Sequence, residues 1–364
     1  MRLAGHSNWA QASRAFWLSG FAAVIVVGVM LLPSPTHAAS HDTALNLTTS
    51  PLPISLVAQP GKTVTTQLRI KNSGTKREQL KIGLLKFSAF GEEGKPRLLD
   101  REAGDSYFDW VSFSQDQFTA EPNVWKNITM TIKVPPTAAY GYYYAVTFSR
   151  ASAPKVTGQR QTALAGAIAT LVLLEARVPG AKRQVEVVQF KASRKFYEFL
   201  PTTFNIKLKN QGNIHVAPSG NIFIGRGKGS DKDIGIIDVN PERGNLLPGS
   251  NRIYAVNWTD GFPLHVEKRD GDKLVTNRQG QPATTLTWDF SQAHKLRFGK
   301  YTAKLLMVYD DGQRDVPIEG TVSFWVVPWR LIAAALVVVA FVGIGLWSTG
   351  RGAAAKLRRR KRKR

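Results

Sequence analysis

Histidines, a glycine-rich run and an Asp-Gly-Asp triplet are the residues of this chain best suited to chemistry. His41, His215, His265 and His294 would suggest a metal site if they fell at i,i+4 or in a His-Glu-x-x-His pattern, and they do neither. His6 and His37 lie in a segment that reads as removable. Gly220 and Gly225 have the spacing of a phosphate-binding loop, but Arg226-Gly227 stands where Lys-Ser/Thr is required. That run reads as a hairpin loop after the strand Ile222-Phe223-Ile224. Asp270-Gly271-Asp272 could touch calcium but lacks the further carboxylates of a calcium-binding loop. The chain has no cysteine, which removes thiol nucleophiles, thiolate zinc sites and disulfides together. No catalytic constellation emerges. The chain reads as a non-enzyme with no cofactor.

A second kind of site is a contact surface. In Gly141-Tyr142-Tyr143-Tyr144, strand alternation sets Tyr143 on the face opposite Tyr142 and Tyr144, so one side is expected to be partly exposed. Tyr142, Tyr143 and Tyr144 are therefore candidate contacts for a carbohydrate or peptide. Cross-strand packing is the alternative.

The elements that would position such a surface are strands. Thr66–Lys71, Ile128–Val134 and Phe204–Lys209 alternate apolar and polar residues, and Gly, Pro and Asn punctuate the intervals. Many short strands with turns between them predict β-sandwiches. An internal echo predicts two: Leu68-Arg69-Ile70-Lys71-Asn72-Ser73-Gly74 resembles Ile206-Lys207-Leu208-Lys209-Asn210-Gln211-Gly212. Each ends in Asn-x-Gly, expected to be a turn of positive φ. Tyr140-Gly141 and Phe298-Gly299 open later strands in the two copies. Asp310-Asp311-Gly312 reads as a hairpin turn. The expected architecture is mainly β: two tandem Ig-like β-sandwich domains, residues 40–180 and 181–325, the second with an insertion at about 260–297.

Both ends read as targeting segments. Residues 1–39 have a signal peptide's form: Arg2 and Arg14, an apolar run from Phe16 to Leu32, then small residues around Ala38-Ala39. Residues 326–348 predict a membrane helix, since Val326 to Trp347 would span about 33 Å of helix. Trp329, Arg330 and Trp347 fall where interfacial anchors are expected. The tail 349–364, with Arg358, Arg359 and Arg360, reads as a stop-transfer signal that stays cytoplasmic. The net charge of +23 is concentrated there: nine positive charges lie between Arg351 and Arg364. This placement argues against nucleic acid as a partner. The remaining basic ectodomain suits anionic wall polymer or lipid headgroups.

In their order, these features resemble the bacterial WxL-interacting cell-surface proteins. The resemblance rests on Gln59-Pro60-Gly61-Lys62-Thr63 before Leu68–Asn72, and on Trp125–Pro135 before Gly141–Tyr144. It continues with Leu247-Pro248-Gly249-Ser250 before a strand ending at Trp258, then Phe298–Ala303 and Asp311-Gly312 before the helix. It implies a first domain on peptidoglycan, a second on a partner protein, and a single membrane pass with the N-terminal domain outside. The leading expectation is a membrane-anchored, non-catalytic adhesion or scaffold protein contacting membrane lipid, wall polymer and another surface protein. The alternative is a tethered assembly factor or chaperone-like subunit of an envelope complex, donating a strand edge to its partner.

Overall fold

The computed structural model describes residues 45–153, 167–227, 233–276 and 282–361, with side chains described as far as residue 352. The expected signal peptide, residues 1–39, lies outside them.

Ten strands build the first sandwich: β1 (Leu47–Ser50), β2 (Ile54–Ala58), β3 (Thr63–Asn72), β4 (Glu78–Phe90), β5 (Lys95–Leu99), β6 (Val111–Phe113), β7 (Gln117–Ala120), β8 (Trp125–Lys133), β9 (Tyr140–Arg150) and β10 (Ala167–Ala176). One sheet runs β1-β3-β8-β6. The other runs β2-β10-β9-β4-β5, with β7 also on β4. The alternation read from the sequence sets the core: Leu68 and Ile70 from β3 face Ile128, Met130 and Ile132 from β8, and Leu80, Tyr144, Phe148, Val172 and Leu174 close the other side.

The second sandwich uses β11 (Val185–Ala192), β12 (Phe196–Tyr197), β13 (Thr202–Asn210), β14 (Ser219–Arg226), β15 (Asp233–Val239), β16 (Asn251–Trp258), β17 (Leu264–Glu267), β18 (Arg269–Asp270), β19 (Lys273–Leu274), β20 (Thr284–Thr287), β21 (Gly299–Asp310) and β22 (Asp315–Val326). Its sheets run β11-β13-β16 and β12-β22-β21-β14-β15. Phe204, Ile206, Leu208, Trp258, Tyr301 and Phe324 are buried between them. The excursion after β16 forms two small ladders, β17-β20 and β18-β19, and a 3-10 helix, Phe290–Lys295. Asp260 clasps its base by pairing with Lys295 and Arg297.

The Asn-x-Gly echo is structural, though not through positive φ. Neither Gly74 nor Gly212 is in the left-handed region. The asparagine side chain does the work instead. Asn72 Nδ2 donates to the Lys76 and Ala120 carbonyls, and Asn210 Nδ2 donates to those of Ile214 and Leu246. Each Oδ1 accepts from the glycine two residues on, Gly74 or Gly212. Both asparagines are buried, and the bonds to Ala120, Ile214 and Leu246 satisfy buried carbonyls. Gly212 is needed for space: a Cβ there would lie 2.1 Å from the Lys182 carbonyl oxygen. Asp310-Asp311-Gly312 does form the β21–β22 turn, with Gly312 at φ +97° and its N–H donating to Asp310.

A 33-residue helix, α1 (Trp329–Lys361), ends the described chain. The expected start at Val326 is corrected to Trp329. Val326 belongs to β22, where alternation buries it beside Phe324, and Val327 N–H still donates to the Tyr197 carbonyl. Pro328 has no N–H to extend that ladder, and it accepts from Ile332 as the helix begins. Nor does the helix stop at residue 348: it runs on to Lys361, and the Thr349 hydroxyl donates to the Gly345 carbonyl within it. The stretch Trp329–Gly352 is long and apolar enough to cross a membrane.

Candidate functional site: the cleft between the sandwiches

Sheet β2-β10-β9-β4-β5 is apolar on both faces. Its inner face closes the first core. Its outer face presents Leu85, Phe87, Leu98, Ala145 and Leu173, with Tyr143, Ala169 and Leu171 beside them, and Leu247 of the second sandwich packs onto this group. Residues 144–149 of β9 and 172–176 of β10 are consecutively buried for this reason.

The face that alternation would leave open on β9 is thus covered by the neighbouring domain. Tyr142 and Tyr144 point inward against Tyr107, 5.3 Å away in each case. Tyr142 hydroxyl also accepts from Ala139 N–H, and Tyr301 hydroxyl accepts from Phe298 N–H, so each sandwich opens its strand with a tyrosine clamped to the residue three before it. Tyr143 lies on the outer face between Phe87 and His215, with both ring centroids 5.8 Å away. The structure does not gather the three tyrosines on one surface.

Four further contacts join the sandwiches. Glu175, at the end of β10, pairs with Arg183 in the segment leading to β11. At the tip of the β4–β5 hairpin, the Glu92 carbonyl accepts from Ile253 N–H at 2.6 Å, and its carboxylate meets Lys207 Nζ at 2.6 Å. Gly94, at φ +74°, lies so close to the Arg252 guanidinium that a Cβ would approach it to 2.5 Å. Burial, with a smaller contribution from the Arg183 charge, pushes the His215 imidazole down to about 4.

Between these fastenings lies a cleft of about 530 Å³, with Leu52, Pro53, Ala169 and Leu171 on the first sandwich and Leu246 and Leu247 on the second. Its wall includes an open strand edge. β10 pairs with β9 along Ala167–Ala176, but β2 covers its other edge only from Val172 to Ala176. Among the described residues, nothing pairs with the outer edge of Ala167–Leu171. Continuing β2 backward would bring Pro51 and Pro53 alongside, and neither has an N–H to give. The chain leaves the ladder there and crosses to β1 in the opposite sheet.

The strand around Ile168–Ala176 was legible in the sequence, but its open edge was not. The signal available was the apolar run Leu171-Val172-Leu173-Leu174, which marks a strand buried on both faces. Among the described residues, no group of three His, Asp or Glu could hold a metal. Asp270-Gly271-Asp272 forms the β18–β19 turn, and Lys228–Ser230 of the glycine-rich run lie outside the described residues.

At the anchor, Arg330 lies over the Trp329 ring at 5.2 Å and Arg351 over Trp347 at 4.4 Å, an aromatic–cation pair at each end of the apolar stretch. The side chains of Arg358, Arg359 and Arg360 lie outside the described residues.

No family model matches the chain, and no curated protein matches it in sequence. Its fold was also compared with solved structures. The class 5 fimbriae chaperone CfaA matches at TM-score 0.33 and 14% identity, over 76% of this chain and 98% of that one. The CsuC-CsuE chaperone–tip adhesion subunit complex from Csu pili of Acinetobacter baumannii matches at TM-score 0.33 and 11% identity, over 75% of this chain and 97% of that one. A chaperone–tip adhesin complex of CFA/I fimbriae matches at 0.32 and 15%, over 57% and 87%. Likenesses of this size carry no inference about what this chain binds.

Proposed function

We propose that this chain is a tethered, non-catalytic assembly factor of the cell envelope that receives an extended segment of a partner protein along the open edge of β10. The observation that carries the reading is the outer edge of Ala167–Leu171, unpaired among the described residues, beside an apolar cleft. An added strand would satisfy the edge's N–H and C=O groups, and alternate side chains of the segment would enter the cleft between Leu171 and Leu246. The clamped domain interface keeps cleft and edge in fixed register. The C-terminal helix would hold the factor at the membrane, with both sandwiches outside.

The test is co-purification from native membranes in mild detergent. One partner at about equal stoichiometry is expected, lost when Ala169→Glu places a carboxylate in the cleft and kept when Ile236→Glu changes an exposed residue of distant β15. Retention of the partner by Ala169→Glu would refute the reading.

A second observation favours contact with wall polymer, in line with the resemblance to WxL-interacting proteins. On the outer face of β3 and β8, Arg69 and Lys71 lie over the Trp125 ring at 4.8 and 5.6 Å, a cationic and aromatic patch suited to an anionic polymer. Under this reading, binding to purified sacculi survives high salt and is lost in Trp125→Ala. Binding abolished by salt alone would reduce it to net charge.

A further inference from the structure

The end of the second sandwich beside the helix carries apolar surface that its own packing does not use. β22 delivers the chain into α1, so whatever pairs with its last residues lies next to the first helical turn. Phe196 lies opposite Trp325, and Gly299 opposite Val326. The 260–297 excursion returns to this end, because Asp260 is tied to Arg297 and Phe262 is bridged to Leu296. Phe196, Trp288, Phe290, Leu296, Phe298 and Trp325 are all exposed here, Phe290 to 72% and Phe196 to 61%. These rings are held in place. Trp288 and Phe290 stack at 6.2 Å, and Phe262 braces them from 5.7 and 5.5 Å.

The charge around the rings is basic. Arg194, Lys195 and Arg226 are exposed. Of the acids nearest these rings in sequence, Asp260 is paired with Lys295 and Arg297, Glu198 with Arg330, and Asp289 caps the 3-10 helix through Ser291 N–H, while Glu267, Asp270 and Asp272 of the excursion are interleaved with Lys268, Arg269 and Lys273. Exposed aromatics with cations around them match the composition of a membrane interface, where amphipathic rings sit among headgroups and Lys and Arg meet phosphate.

We propose that this end of the second sandwich rests in the headgroup layer of the bilayer that α1 enters, with Trp288, Phe290 and Phe298 as interfacial anchors. The proposal depends on α1 spanning that bilayer. Continuity of the chain selects lipid as the occupant. Trp325 is four residues from Trp329, which places the aromatic end within roughly 13 Å of the helix entry point. The 260–297 excursion is then a foot, and it sets the height and tilt at which the cleft faces outward.

The chain has no cysteine, so single labels can be placed cleanly. The full-length protein is reconstituted in phosphatidylcholine vesicles containing phosphatidylglycerol, with a fluorophore at Ala293→Cys, exposed on the 3-10 helix. Val339→Cys, in the middle of α1, and Asp311→Cys, in the β21–β22 turn at the opposite end of the sandwich, are the reference positions. A spin label on the lipid headgroup is expected to cut emission at position 293 about twofold. Position 339 is expected to respond instead to a spin label deep in the acyl chain, and position 311 to neither. Adding Phe290→Ser and Phe298→Ser should abolish the response at 293. If 339 is quenched while 293 behaves like 311, the helix spans and the proposal fails. If 339 is not quenched, the spanning reading fails and takes the proposal with it. Shielding of 293 from aqueous iodide without headgroup quenching would replace the bilayer by a second copy of the chain.

Discussion

Arg183→Met should be among the most damaging single substitutions outside the two cores. The Glu175 side chain is 4% exposed and that of Arg183 15%, so the pair is largely shielded from water. It joins the last turn of the β10 edge to the lead-in of β11. Removing the guanidinium leaves a buried carboxylate without its partner, a change that costs about 3–5 kcal/mol. For a chain of this size, each kcal/mol moves the midpoint about 2–4 °C, so a fall of about 10 °C is expected. The assay is thermal unfolding of the full chain in detergent, followed by near-ultraviolet circular dichroism. Glu175→Gln/Arg183→Met should recover much of the loss, because the double variant buries no unpaired charge. A shift of under about 2 °C for Arg183→Met would refute the reasoning, since only a solvated pair contributes so little.

Asn210→Ala should destabilise the second sandwich by about 2–4 kcal/mol, measured by urea denaturation, because it strands the buried Ile214 carbonyl, frees the Gly212 N–H and leaves the Leu246 carbonyl only its bond from Val216 N–H. Asn72→Ala should act alike on the first sandwich. Gly212→Ala should cost about 1–3 kcal/mol in the same assay, since its Cβ would meet the Lys182 carbonyl oxygen. His215 is held neutral at the domain interface, with its basicity lowered from 6.5 to about 4. The unfolded chain therefore takes up this proton first as pH falls. The contribution of His215 is complete above about pH 6.5 and is lost towards pH 4, on the order of 3 kcal/mol. Comparing the pH dependence of stability for the natural chain and His215→Gln checks this; identical profiles would contradict it.

The sequence made the local architecture legible and left the cleft hidden. Alternation in β3, β8 and β13 is a local property, and the predicted inward residues Leu68, Ile70, Phe204 and Ile206 are the buried ones. The Asn-x-Gly echo marked equivalent turns correctly. It suggests a backbone conformation rather than a capping side chain, because the cap reveals itself only through acceptors as distant as Ala120 and Leu246. Tyr143 shows a second limit. Period two places it opposite Tyr142 and Tyr144, but cannot say that another domain will cover that face. The cleft joins Leu52, Ala169 and Leu247, residues far apart in sequence, so no window holds its pattern. Sequence places the helix start too early because Val326 is equally apolar in a strand and in a membrane span. Only the pairing of β21 with β22 separates the two.

Hydrogen exchange at the amides of Ala167–Leu171 that point away from β9 tests the central claim most directly. It would be measured on the full chain alone and with its co-purified partner. The account predicts rapid exchange in the free chain and, in the complex, slowing of at least about a hundredfold as an added strand takes up the edge. Amides already protected in the free chain, or still unprotected while another surface becomes protected, would contradict it.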